Sequence, residues 1–159
     1  METSTSSKKI VQLRSSDGQF FEVDEEAAMS SEILKNMIEM GMPSPLPLYE
    51  VDAMTLAMMV ESWNRRLQEK RGEITEAERE RWEEEELLKS KEPDGDAFCV
   101  LLAANYLEDE HLIDRAGEAI AHHIKDMTVE EVRDYFEIDN DFEREEEEKV
   151  LQENAWAYN

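Results

Sequence analysis

Three histidines, one cysteine and a large excess of acids are the residues of this 159-residue chain that could hold a metal or move a proton. His122 and His123 are neighbours, so on a helix their side chains point about 100° apart, which does not suit a single ion. His111 and His122 share a helical face but lie roughly 16 Å apart at about 1.5 Å per residue. Asp139-Asn140-Asp141 opens like a calcium loop. The position that needs glycine holds Arg144, however, and the closing bidentate acid would be Val150. Cys99 sits among Phe98, Val100 and Leu101, the setting of a buried, unreactive thiol, and a lone cysteine excludes a disulfide framework. The chain has no glycine-rich phosphate loop, no Gly-x-Ser-x-Gly elbow and no Cys–His arrangement, and pairs of glutamates are expected by chance at this composition. These residues therefore predict no catalytic group, no metal site and no cofactor, and a protein that is not an enzyme.

Asp and Glu number 41 against 17 Lys and Arg, a formal net charge of −24. No basic stripe long enough to track a phosphate backbone survives that balance, so nucleic acid is not the expected partner. A solvated acidic face and a surface steered toward a basic protein partner both fit it. No apolar run is long enough to cross a membrane, and METSTSSKK lacks the hydrophobic centre of a secretory signal. A soluble protein of a reducing, intracellular compartment is expected. The length supports one domain with a real core, with room for an appended module.

The elements that must position any binding residues are organised around AFCVLLAANYL. On a helical wheel Phe98, Leu101, Leu102 and Asn105 lie on one side and Val100, Ala103, Ala104 and Leu107 on the other. A helix apolar on both sides is expected to be covered on both. Asn105 and Tyr106 carry its strong polar tips, and they either close a local hydrogen bond or meet a partner. Before this helix, residues 1–7 read as a disordered tail, and KKIVQLR and QFFEV around Asp17-Gly18 read as a β-hairpin. EEAAMSSEILKNMIEMG predicts a short helix, a break at Ser30-Ser31 and a second helix ending at Gly41. LPLYEV predicts a short edge strand, and Asp52 caps a helix with Leu56, Met59, Val60, Trp63 and Leu67 as its inner stripe. About 68–92 the chain turns strongly charged. It reads as a tolerant surface insertion, helical after the Thr75–Glu78 capping pair and anchored by Trp82, Leu87 and Leu88. EPDGD then breaks the chain.

Past the central helix, Leu112, Ile113, Ala116, Ile120, His123 and Ile124 form a stripe on a helix of about four turns. Thr128 with Glu131 opens another, striped by Val129, Val132 and Phe136. Val150, Leu151 and Trp156 stand in an otherwise polar ending. These thin amphipathic pieces bury little against one another and are expected to present apolar residues to a second protein.

At AANYL, at EIDNDFEREEEEKVLQENAWAY, at SSDGQFFEVDEEAA and at LPLYEVDAMTL the chain resembles the Skp-type adaptors of SCF cullin-RING ubiquitin ligases. The resemblance spans nearly everything but the tail and the charged insertion. It implies an α+β protein, with a BTB/POZ-type domain at 8–108 and C-terminal F-box-binding helices at 109–159. It further implies cytoplasmic and nuclear residence and a non-catalytic bridge from a cullin N-terminal region to F-box proteins. Asn105 and Tyr106 match the family's cullin-contact pair. Ile120, Ile124, Val132, Phe136, Ile138, Asn140, Phe142 and Trp156 match its F-box-binding positions, with Phe136, Phe142 and Trp156 as the anchors. The family's Asn-Tyr-Leu-Asp-Ile-Lys stands here as Asn105 to Glu110, putting Asp109 and Glu110 where an apolar residue and a cation are usual. Those acids, with Glu108, are expected to fall near the cullin interface. They also make room for a cullin-independent F-box chaperone as the alternative role.

Overall fold

The computed structural model describes residues 9–93 and 95–137. Strands β1 (Ile10–Arg14) and β2 (Phe20–Asp24) form the expected antiparallel hairpin, with Val11 opposite Val23 and Leu13 opposite Phe21. Gly18 at φ +83° makes the turn, a conformation that costs glycine nothing. Alternation sends Val11, Leu13 and Val23 into the core. The two-residue strand β3 (Leu46–Pro47) adds to the free edge of β1 in parallel, giving the order β2-β1-β3. A proline fits there because an edge position does not need every backbone donor.

Helices cover this small sheet in the order the sequence implies. After α1 (Glu25–Ala28), Ser31 caps α2 (Glu32–Glu39) by accepting from the Leu34 amide at 3.1 Å. Asp52 caps α3 (Ala53–Lys70) in the same way, through the Thr55 amide at 2.8 Å. Leu56, Met59, Trp63 and Leu67 are buried along α3, and Val60 is half-buried. Next come α4 (Glu76–Trp82), α5 (Asp96–Leu107), α6 (Glu110–Ile124) and α7 (Val129–Phe136). The chain divides into two compact units, Met1–Lys125 and Asp126–Asn159, so that α6 packs on α5 within the first.

The charged segment departs from expectation. Thr75 and Glu78 do form a reciprocal capping box, and Leu87 and Leu88 are buried. But α4 runs on into a π-helical turn, Glu83–Leu87, whose first residue is wholly removed from solvent. The Glu83 carboxylate accepts from Arg79 Nη1 at 2.6 Å and from Arg115 Nε at 3.0 Å, and its other oxygen lies 2.6 Å from His111 Nε2. Arg79 in turn pairs with Glu69 of α3. Trp82, expected as an anchor, is instead half-buried beneath the Arg65 guanidinium, 4.7 Å from its ring centre. The segment is therefore held by more than its apolar patch. It is clamped to α3 and α6 by ion pairs, which a search for apolar stripes does not register.

Burial raises the proton affinity of the Glu83 carboxyl. The His111 hydrogen bond and charge, with those of Arg79, outweigh that effect and hold its pKa below the ordinary glutamate value. A carboxyl with a depressed folded-state pKa contributes stability above the unfolded value, about 4.3, and loses it as pH falls through the folded one. Urea unfolding should accordingly show Glu83→Ala less stable by about 3 kcal/mol at pH 7, since one partner of a buried pair is removed. The Glu83→Gln variant should lose less stability than the parent between pH 7 and pH 3.5; equal losses would place the acid sensitivity elsewhere.

Candidate partner-binding surfaces

The α5 helix ends in a Schellman motif. Glu108 takes the left-handed conformation at φ 53°, its amide faces the Asn105 carbonyl at 3.4 Å, and the Asp109 amide donates to the Ala104 carbonyl at 2.9 Å. Asn105 and Tyr106 thus sit in the last helical turn before a sharp reversal into α6. Asn105 is exposed and Tyr106 half-buried.

The same helix corrects the expectation that both its faces would be covered. Val100, Ala103, Ala104 and Leu107 are buried, as is Ala97. On the other side Phe98 and Leu101 are half-buried and Leu102 is 70 % exposed. An exposed leucine beside the half-buried Phe98, on the same side of the helix as Asn105, gives this surface the amphipathic character of a docking face. Cys99 is half-buried rather than sequestered.

The acids that follow do not all lie where the resemblance implies. Glu108 and Glu110 are exposed, but Asp109 has no solvent contact. Its Oδ1 accepts from Arg66 Nη1 at 3.0 Å and from the Leu112 amide at 3.3 Å, which caps α6. Its Oδ2 accepts from Trp63 Nε1 at 2.9 Å and from Arg66 Nη2. Asp109 therefore cannot present its charge at an interface. Sequence reasoning passed over Trp63 and Arg66 as its partners, although a signal existed: an indole N–H in a buried stripe needs an acceptor, and Arg66 follows three residues later on the same helical face.

Among the expected F-box contacts, Ile120 is 6 % exposed and packs inside the first unit, so it has little surface to offer; Ile124 is half-buried. In the second unit α7 is strongly amphipathic, yet none of its residues is fully buried. Thr128 accepts from the Glu131 amide at 3.1 Å, which forms the Thr128 half of the capping box. Val132 and Phe136 are half-buried, Val129 is exposed, and the Phe136 and Tyr135 rings meet edge to face, 4.9 Å apart. Ile138, Asn140, Phe142 and Trp156 lie outside the described residues.

Comparison with known proteins gives two family matches. Residues 9–67 match the tetramerisation domain of the Skp1 family, and residues 110–157 match the dimerisation domain of the same family. The second match begins at the first residue of α6, so it straddles the geometric division after Lys125. Relatives extend over nearly the whole chain. SKP1-like protein 14 of Arabidopsis thaliana is 41 % identical over 96 % of this chain and 99 % of its own length. SKP1-like protein 10 of the same plant is 38 % identical over the same shares, and SKP1-like protein 20 of Oryza sativa subsp. japonica is 34 % identical over 99 % of each chain.

The two sides of α5 should respond differently to truncation. Leu102→Ala is expected to change stability by less than about 0.5 kcal/mol, the usual scale for an exposed site. Leu107→Ala, at a position with no exposure, should cost about 2–5 kcal/mol. Denaturant melts of the two variants check this, and a large loss for Leu102→Ala would mean that its face is covered in solution.

Proposed function

The chain belongs to the Skp1 family, whose members are adaptor subunits of SCF ubiquitin ligases, and from that premise we propose how this member divides the work. It performs no chemistry of its own. The open side of α5, with Leu102, Asn105 and Tyr106, takes the N-terminal region of a cullin, and the C-terminal helices take an F-box protein. Holding receptor and ligase on one scaffold raises the effective concentration of substrate at the conjugating enzyme.

The observation that carries this reading is the exposed leucine on α5. Along that helix a packed side runs back to back with one on which Phe98 and Leu101 are half-buried and Leu102 is exposed, and this second side ends at the Asn-Tyr pair. Support for the second contact comes from α7, an eight-residue amphipathic helix without a fully buried residue. Such a helix is marginal in water unless packing stabilises it. Val132 and Phe136 are the described residues proposed to meet the F-box protein, and Ile138, Asn140, Phe142 and Trp156 complete the proposed set. A few anchors of this kind dominate the energy of an interface of ordinary size.

Binding of the purified chain to a cullin N-terminal fragment and, separately, to an F-box protein tests the division. Asn105→Ala with Tyr106→Ala should weaken the first by tenfold or more and leave the second within about twofold. Val132→Ala with Phe136→Ala should do the reverse. If the parent binds F-box protein but no cullin, the chain is a cullin-independent F-box chaperone, a role to which the exposed Glu108 and Glu110 beside the Asn-Tyr pair would contribute.

A further inference from the structure

The turn between α5 and α6 is held by a carboxylate that reaches back to α3, and this arrangement has a consequence for the proposed cullin contact. We propose that Asp109 is a positioning residue: with Trp63 and Arg66 it fixes the backbone of the Asn105–Glu108 turn and so aims Asn105 and Tyr106, without itself touching the partner. The proposal rests on the reading of that pair as a cullin contact.

Its basis is geometric. Asp109 is the second residue beyond the end of α5 and at the same time the N-cap of α6, so its backbone amide closes the Schellman turn while its side chain opens the next helix. Four donors converge on the carboxylate: two from Arg66, one from Trp63 and one from the Leu112 amide. The planar fork of an arginine fixes direction as well as distance, which a lysine's point charge does not. In addition the Ser31 hydroxyl donates to the Leu107 carbonyl at 2.6 Å, and the Glu32 amide to the Glu108 carbonyl at 3.2 Å. The backbone just after Asn105 and Tyr106 is therefore gripped by α2, α3 and α6 together.

Buried charge and exposed charge make opposite forecasts. Were Asp109 an interfacial acid, its removal would alter the salt dependence of cullin binding, as removal of Glu108 or Glu110 should. As a positioning residue it should leave that dependence alone and act through the turn.

The test uses the full chain with Asp109→Asn and Arg66→Lys, each checked for an intact melting transition, against a cullin N-terminal fragment and an F-box protein. The expected result is a loss of tenfold or more in cullin affinity for both variants, an unchanged salt slope, and F-box affinity within twofold of the parent. The amide resonances of Asn105, Tyr106 and Glu108 should shift in both. Unshifted resonances, cullin affinity within twofold, or equal loss of both partners would overturn the proposal. If Asn105→Ala with Tyr106→Ala leaves cullin binding intact, the contact reading fails instead, and the resonances still decide whether Asp109 sets the turn.

Discussion

A carboxylate taken out of water needs a donor for nearly every lone pair, and Asp109 obtains four, three from α3 and one from α6. Two come from a guanidinium, so the negative charge is balanced as well as hydrogen-bonded. Removal of either partner would strand the other in a medium of low dielectric, which is why such pairs are costly to break even where they add little net stability. The structural yield is specificity of arrangement. Trp63 and Arg66 can satisfy Asp109 only if α3, the end of α5 and the start of α6 stand in one relative pose. Ser31 and Glu32 add α2 to the same junction. The apolar side of α5 then has a defined partner surface, and its other side is left as a consequence of that pose.

Glu83 repeats the device one turn further along α6. It binds the charged segment to His111 and Arg115, while Arg79 extends the chain of pairs to Glu69. Three arginines, at positions 66, 79 and 115, thus spend their charge inside the first unit, with side chains no more than 25 % exposed. In a chain with 41 acidic and 17 basic residues, these arginines are matched by acids taken in with them, Asp109, Glu69 and Glu83, so the solvent-facing excess of acid stays close to the formal −24. A field of that sign favours fast encounter with a basic partner and resists self-association, and it does so most strongly at low ionic strength.

Local grammar was enough for much of this architecture. The hairpin follows from alternation about Asp17-Gly18, α2 and α3 from their Ser31 and Asp52 caps, and the inner stripe of α3 from its spacing. Where reading failed, long-range charge pairing was responsible. Glu83 is one acid among many in sequence and becomes special only when His111 and Arg115 arrive from 28 and 32 residues away. Asp109 looked like a surface acid because its partners lie 43 and 46 residues upstream. The open side of α5 was illegible for a related reason. Hydrophobicity marks a side chain that avoids water, but not whether its cover belongs to the same chain, and Leu102 is as apolar as Leu107. Within the site, Asn105 and Tyr106 stand out by type, while Ile120, which the resemblance matches to a contact position, is 6 % exposed.

The first unit and the described part of the second meet opposite physical demands. The docking face proposed on α5 gains from rigidity, because residues already held in the bound geometry lose little entropy on association. The buried carboxylates supply that rigidity without adding apolar surface to the outside. Among the described residues, α7 is an eight-residue amphipathic helix with no fully buried side chain. Ordering or covering it on binding costs part of the interaction energy, and the affinity that remains depends on how well a few side chains such as Phe136 fit. A surface of that kind tolerates partners of varied sequence, since each can contribute its own cover. On the division of contacts proposed above, this gives an adaptor a fixed geometry toward the constant component of a ligase and an adjustable one toward interchangeable receptors.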